Sequence, residues 1–348
     1  MSQLPLRVRA GTALDDAARD AFVLGHSAGT FFHLAGWRRA VERVMGHTGR
    51  DILAHRGDEL VGVLPLMACR GLKGRVRLIS MPYAVYGGGL GLDSEVEGAL
   101  AELARAQADE ERVGHLELRC MDDPGLGWPK SGLHATFIKE LPREPNAVLA
   151  GMPKKARAEA RKARERHGLV HRVGEHYLEP FVRLFHANKH SLGSPSLPIQ
   201  FFRAILEECA GRVSVHVIEH QGNVVSAVMA FHHGGDFLAY YSGSAPGADR
   251  ELSASNFMYL ALQEWAVEQG FKRFDFGRSR KDSGAFQFKA HQGFEPHDLN
   301  YSFHLVRDGG LPSLNPSNPK LHLVQSAWRH LPRGVTRLLS RPLSRFLP

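Results

Sequence analysis

Asp275, Arg278 and Lys289 are the residues whose types and spacing best suit a reaction site. Asp275 and Arg278 flank Gly277 in the run Phe274-Asp275-Phe276-Gly277-Arg278-Ser279. This run ends a predicted strand, where binding and catalytic loops tend to lie. A carboxylate there can hold a polar group or accept its proton, and a guanidinium can clamp a phosphate or carboxylate through two parallel hydrogen bonds. The alternative is an internal Asp–Arg pair that only orders the loop. Lys289 sits between Phe288 and a Gly293-Phe294 turn. An apolar wall strengthens the field of a lysine on an oxyanion or a phosphate; the alternative is a surface lysine on a strand or helix end.

The elements that must position these residues repeat along the chain. At a fixed offset of 165 residues Trp37 matches Phe202, Arg38 matches Arg203, Glu42 matches Glu207 and Gly46 matches Gly211. At the same offset His55 matches His220, Gly57 matches Gly222, Asp58 matches Asn223 and Val63 matches Val228. In each copy an amphipathic helix ends at a glycine. A strand follows (Ile52–Arg56; Ser214–His220), then a turn at Gly57-Asp58 or Gly222-Asn223, and a second strand. Further strands (Val76–Met81; Phe237–Tyr241), a helix (Val96–Glu111; Ser255–Gln269) and another strand (His115–Arg119; Phe271–Phe276) complete the order. Pro124–Pro145, rich in Gly and Pro, reads as the linker. The expected division is therefore 1–145, a second unit 146–310 opening with a basic helix at 152–169, and a basic amphipathic tail at 311–348.

Composition sets the outer bounds. With 43% hydrophobic and 23% charged residues, 348 positions suffice for two packed domains. Cys69, Cys120 and Cys209 are odd in number and far apart, which fits reduced thiols better than a disulfide framework. No signal-peptide pattern opens the sequence and no run of eighteen apolar residues occurs, so a cytoplasmic location is expected. Of the formal charge of +8, residues 152–169 carry +5 and residues 319–348 carry +6, leaving the rest slightly acidic. Two local anion-binding surfaces follow, not a generally basic protein.

Three stretches resemble the FemAB family of peptidyltransferases. They are Pro153-Lys154-Lys155-Ala156-Arg157 with Arg161-Lys162-Ala163 and His167-Gly168-Leu169; the helix Ser255–Gln269 with the Asp-Phe-Gly-Arg-Ser run; and Gly284-Ala285-Phe286-Gln287-Phe288-Lys289 followed by Gly293-Phe294. The last two together are most similar to the FemAB-like proteins that accompany exosortase (PEP-CTERM) and exopolysaccharide systems. The resemblance implies an α/β (α+β) fold of two tandem GNAT-like acyltransferase domains, each a mixed, mainly antiparallel sheet flanked by helices. It also implies transfer of an acyl or aminoacyl group to an amine of a cell-envelope or exopolysaccharide precursor. The donor it implies is acyl-CoA or aminoacyl-tRNA, and neither a tightly bound cofactor nor a metal is expected. The sequence departs from the classical members in lacking a long coiled-coil arm, and it has no R-x-x-G-x-G pyrophosphate loop; Gly243–Gly247 is only glycine-rich. No G-x-S-x-G elbow suggests a covalent serine intermediate.

On this expectation Lys289, Asp275 and Tyr241 form the catalytic set, with Tyr241 a general acid or, alternatively, a core tyrosine with a buried hydroxyl. Arg278, Ser242, Gly243, Asn256 and Tyr259 form the donor site, the last two opening a helix whose free N–H groups favour an anion such as a pyrophosphate. Tyr83 and Tyr86, in Met81-Pro82-Tyr83…Tyr86-Gly87-Gly88-Gly89, make an acceptor loop or a plain turn. Lys154, Arg157 and Arg161 offer phosphate contacts to tRNA or to a phosphate-linked precursor, or else only solvate a helix. Among twenty histidines, His186 and His190 share a helix face, but no H-E-x-x-H or carboxylate companion supports a metal.

In the tail, Val324, Trp328, Leu331, Val335 and Leu338 recur at helical spacing, with arginines at 329, 333, 337, 341 and 345. That pattern suits an anionic membrane surface, the inner face of the cytoplasmic membrane, or packing of the apolar side on the protein's own body. Two further functions compete with aminoacyl transfer: a non-catalytic assembly protein of an export system, and a generic acetyl-CoA-dependent acetyltransferase.

Overall fold

Two β-hairpins with the same irregularity anchor the two halves of the chain. The structure is a computed structural model that describes residues 4–71, 74–312 and 319–348. In the first hairpin, strands Ile52–Arg56 and Glu59–Leu64 pair Arg56 with Glu59 and His55 with Leu60, then Ala54 with Gly62, so Val61 is an extra residue. In the second, Val213–His220 and Asn223–His233 pair His220 with Asn223 and Glu219 with Val224, then Ile218 with Ser226, so Val225 is extra. A bulge at the same distance from a two-residue turn in both copies is a designed feature rather than noise. The hairpins therefore correspond at an offset of 164, one less than the sequence matches. The second turn is Gln221-Gly222, not Gly222-Asn223; both residues have positive φ, 49° and 78°, as a primed two-residue turn requires.

Each hairpin follows a helix that ends near a left-handed glycine. Ala35–Met45 stops at Gly46, whose φ of 69° is open to glycine at no steric cost. Trp37 on this helix is fully buried and packs edge-on against Phe31 and Phe32. Its repeat partner Phe202, on the helix Ile199–Glu208, is equally buried and packs edge-on against Phe181, Phe185 and Tyr241.

The contacts divide the chain into two compact units. The first comprises Met1–His134, Asp298–Ser313 and Pro342–Pro348; the second comprises Ala135–His297 and Leu314–Arg341. In the first, a four-stranded sheet runs Leu6–Ala10, Ile52–Arg56, Glu59–Leu64, Leu90–Gly91. A six-stranded sheet runs Thr48–Gly49, Met67–Arg70, Val76–Ile79, His115–Cys120, Asn300–Leu305, Lys130–Ser131. The helix Ser94–Glu110 covers them, burying Val96, Leu100, Ala101, Ala104 and Ala108. In the second unit, a sheet runs Val170–Val173, Val213–His220, Asn223–His233, Asp236–Ser244, Arg273–Asp275, His134–Glu140, Ser279–Arg280, with Pro296–Asp298 beside His134–Glu140. The helix Ala254–Glu268 packs on it.

This partition corrects the linear one. Residues Pro124–Pro145 contain a strand, His134–Glu140, that pairs antiparallel with Arg273–Asp275 in the second unit. The later strand Asn300–Leu305 returns to pair antiparallel with His115–Cys120 in the first. One strand of the six-stranded sheet and one of the second unit's sheet thus come from the other half of the sequence, and the tail is divided between the units. The basic helix, Lys154–Glu165, is not solvated all round: Ala156, Ala160 and Ala163 are buried, against Ala254–Glu268. Cys69, Cys120 and Cys209 are free thiols.

Candidate functional site

The second unit has one place where two neighbouring parallel strands part. Asp236–Ser244 runs parallel to Arg273–Asp275, pairing Asp236 with Arg273, Phe237 with Phe274 and Leu238 with Asp275. Beyond that point Tyr240, Tyr241 and Ser242 continue on one strand, while Phe276, Gly277 and Arg278 leave the ladder on the other, with Gly277 still against the Tyr240 ring. The carboxyl ends of parallel strands that part leave a crevice suited to ligands.

The turning segment is held from both sides. Asp275 Oδ1 accepts from the Gly277 backbone N–H at 2.6 Å and from Thr136 Oγ1 at 3.2 Å. Lys289, on the helix Gly284–His291, donates from Nζ to the carbonyls of Phe276 at 2.6 Å, Gly277 at 2.8 Å and Arg278 at 3.4 Å. Its ammonium also lies 5.6 Å from the ring centres of Phe137 and Phe276. Burial pushes the Lys289 ammonium down to about 7; the Asp275 carboxylate opposes this and the Arg278 guanidinium adds to it. Asp275 and Lys289 are thus two halves of one clamp whose product is the position of Arg278. Lys289, read from sequence as an oxyanion stabiliser, spends its donors on backbone carbonyls instead.

The side chain that sequence reasoning missed is Lys189, on the helix Leu178–Ser191. Burial lowers its pKa, and the charge of Arg278 lowers it further. The Lys189 ammonium lies 5.5 Å from the ring centre of Phe185, and the charge of Arg278 reaches it there. The neighbouring Asn188 donates from Nδ2 to the carbonyl of Ser242 at 3.3 Å, tying this helix to the end of the strand. Only the run Asn188-Lys189, between the two histidines first suspected of metal binding, signals these residues in the sequence.

The remaining candidates divide. Ser242 and Tyr259 are hydrogen-bonded side chain to side chain, and burial raises the Tyr259 hydroxyl to about 12. Asn256 Oδ1 accepts from Gln292 Nε2 at 2.7 Å. Tyr241 is half-buried and packs against Phe185, Phe202 and Phe231. A Cβ at Gly243 would lie 2.5 Å from the backbone of Leu184, so glycine is what lets the helix Leu178–Ser191 lie on the strand.

The helix Ala254–Glu268 does not offer a bare N-terminus either. The Ser255 N–H is taken by Asp249 Oδ1 at 2.8 Å, which puts a carboxylate where a pyrophosphate was expected. Lys154 and Arg161 point to solvent, and Arg157 donates to the Ala150 carbonyl at 3.1 Å.

In the first unit the expected acceptor loop is a packed one. Tyr83 and Tyr86 are buried. The Tyr83 hydroxyl donates to the Ser344 carbonyl and lies 3.0 Å from His47 Nε2. Burial raises the Tyr83 hydroxyl well above its ordinary value, and burial with the charges of Arg77 and Arg345 lowers His47 to about 4. Two of the three glycines pack tightly: a Cβ on Gly87 would meet the Ser80 carbonyl oxygen at 2.6 Å, and one on Gly88 would meet Cys120 Sγ at 2.7 Å.

Among the described residues no group of three or more His, Cys, Asp or Glu side chains is placed to hold a metal. His186 Nε2 lies 3.3 Å from the Arg333 carbonyl and His190 Nε2 3.0 Å from the Leu331 carbonyl, so the pair holds the tail. No described helix is long and apolar enough to cross a membrane.

These features define a fold of the tandem GNAT type. The family described as Acetyltransferase (GNAT) domain matches residues 151–290, the segment that carries the clamp and its two cations. The crystal structure of FemX is similar over 92% of this chain and 100% of its own, with a TM-score of 0.68 at 15% identity. A tandem GNAT protein from the clavulanic acid biosynthesis pathway is similar over 87% and 99%, with a TM-score of 0.55 at 14% identity. The C-terminal domain of a putative lysylphosphatidylglycerol synthetase from Agrobacterium fabrum covers 90% and 96%, with a TM-score of 0.52 at 15% identity. No curated protein matches by sequence. Residues 151–290 thus match an acetyltransferase domain by sequence, and the chain as a whole shares the fold of tandem GNAT proteins.

Proposed function

We propose that this chain is an aminoacyltransferase of the FemAB type, acting on an amine of a phosphate-linked cell-envelope or exopolysaccharide precursor. The amine nitrogen attacks the ester carbonyl of an aminoacyl-tRNA. A C–N bond forms, the C–O bond to the tRNA breaks, and the amine proton passes to the leaving oxygen. No covalent bond to the enzyme is needed. The clamp of Asp275 and Lys289, which fixes the backbone from Phe276 to Arg278 at the end of the strand, carries this reading, and Lys189 lies within reach of the Arg278 charge. A guanidinium and an ammonium fixed in a crevice before the reaction begins are suited to the oxyanion that develops on the ester carbonyl.

The choice of donor rests on Asp249. Its carboxylate already occupies the Ser255 N–H. A coenzyme A pyrophosphate at that helix end would meet a negative charge instead of free donors. The names of two similar folds, FemX and lysylphosphatidylglycerol synthetase, accord with aminoacyl transfer. Binding of labelled aminoacyl-tRNA and of acetyl-CoA to the purified chain tests the reading. Retention of the tRNA with weak or no CoA binding is expected. Tight CoA binding without tRNA binding overturns the donor in favour of an acetyl-CoA enzyme, and binding of neither favours a non-catalytic assembly protein.

A further inference from the structure

The tail packs with the wrong side inward for an ordinary amphipathic helix. Its two helices are Pro319–His330 and Arg333–Ser344. In the second, Thr336 and Ser340 are buried, and Ser340 Oγ accepts from the Ser196 backbone N–H at 3.0 Å. The turn between the helices is held by His186 and His190 through the carbonyls of Arg333 and Leu331. Gly193 lies so close to Gln325 that a Cβ would meet its carbonyl oxygen at 2.6 Å. Small hydroxyl side chains and backbone groups thus make the inward contacts, with Trp328 the large apolar residue among them.

The apolar residues go outward. Leu338 is 76% exposed, Leu323 71% and Val324 63%, and Leu331, Val335 and Leu339 are exposed with them. Folding against the protein's own body therefore leaves this face unburied. Beside it run Arg329, Arg333, Arg337 and Arg341, all exposed, and residues 319–348 contain six Lys/Arg and no acid. Leucines flanked by arginines every four residues combine an apolar surface with long side chains whose charged ends can reach phosphates at its rim.

We infer that this face docks on an anionic lipid bilayer. Charge decides between occupants: a second copy would set one wholly basic strip against another, whereas acidic headgroups complement it. The same helix that holds the tail, Leu178–Ser191, carries Asn188 and Lys189, so docking would hold the candidate site at a fixed place near the lipid surface. This inference stands apart from the proposed transfer reaction, since it needs neither donor nor turnover.

Flotation of the full chain with phosphatidylglycerol-containing vesicles and with pure phosphatidylcholine vesicles tests it. Binding to the anionic vesicles alone, weakened by salt, is expected. The variant Arg333→Gln/Arg337→Gln/Arg341→Gln should bind roughly a hundredfold more weakly, from the usual contribution of each basic residue near an acidic surface. Leu331→Asp/Leu338→Asp should lose at least about tenfold. Both alter exposed side chains, and circular dichroism melting checks that each still folds; the arginine variant decides alone if the leucine variant does not. No flotation of the wild type, or flotation that folded variants do not weaken, overturns the inference. So does a dimer seen by light scattering that the leucine variant dissolves while vesicle binding is absent.

Discussion

Lys289 Nζ lies 2.6 Å from the carbonyl oxygen of Phe276, a contact through which the lysine holds the backbone that leads to Arg278. Lys289→Met removes the donor to three carbonyls in a buried segment. It should destabilise the fold by about 2–4 kcal/mol, the usual range for leaving buried acceptors of a charged donor unmet. Urea denaturation measures this. Loss of activity with unchanged stability would instead return Lys289 to the chemistry.

Arg278→Met and Lys189→Met should act the other way. Arg278 ends the clamped segment, and its charge reaches Lys189. Each substitution should lower transfer by about a hundredfold or more, the usual cost of removing one oxyanion donor. Urea denaturation of each variant separates a loss of transfer from a loss of fold.

Gly243→Ala tests the close approach of helix and strand. The added Cβ would lie 2.5 Å from the Leu184 backbone, which no side-chain rotation can relieve. A loss of about 3 kcal/mol or more in urea is expected, at the upper end for overpacked sites.

A chain of histidines in the second unit sets an acid limit on stability. His171 Nε2 lies 3.0 Å from His216 Nδ1, and Ser214 Oγ bridges His216 and His232 at 2.7 and 2.8 Å. Burial lowers His171 and His232 to about 4 and His216 well below its ordinary value. Because the folded pKa values lie below the unfolded value of 6.5, the unfolded chain takes up protons first. The stabilisation is fully present above that value and is lost as pH falls towards 4, by roughly 3 kcal/mol for each of His171 and His232. Urea midpoints measured from pH 7 downward should fall accordingly, and His232→Phe should flatten the slope.

What the sequence discloses depends on whether a feature is local. The helix ending at Gly46, the hairpin after it and the long helix over 94–110 follow from periodicity and turn chemistry, and the structure has them. The exchanged strands His134–Glu140 and Asn300–Leu305 do not, because pairing partners far apart leave no mark on composition, and a Gly- and Pro-rich stretch hid the first. The Asp275 and Lys289 motifs were visible, but their shared task of holding one backbone segment was not: a lysine's type does not say whether its donors face a substrate or a carbonyl. Lys189 was invisible for the same reason, since only the tertiary fold brings it beside Arg278. In the tail, helical spacing revealed two faces without revealing which meets the body.

The central claim is that a fixed Arg278, with Lys189, serves aminoacyl transfer. Its most direct test follows carbon-14 from charged aminoacyl-tRNA into an amide on phosphate-linked, amine-bearing envelope precursors, with wild type, Arg278→Met and acetyl-CoA as a competing donor. Label is expected in the amide product with the wild type, with about a hundredfold less from Arg278→Met and no transfer from acetyl-CoA. Transfer from acetyl-CoA alone, or undiminished aminoacyl transfer by a folded Arg278→Met, would contradict it.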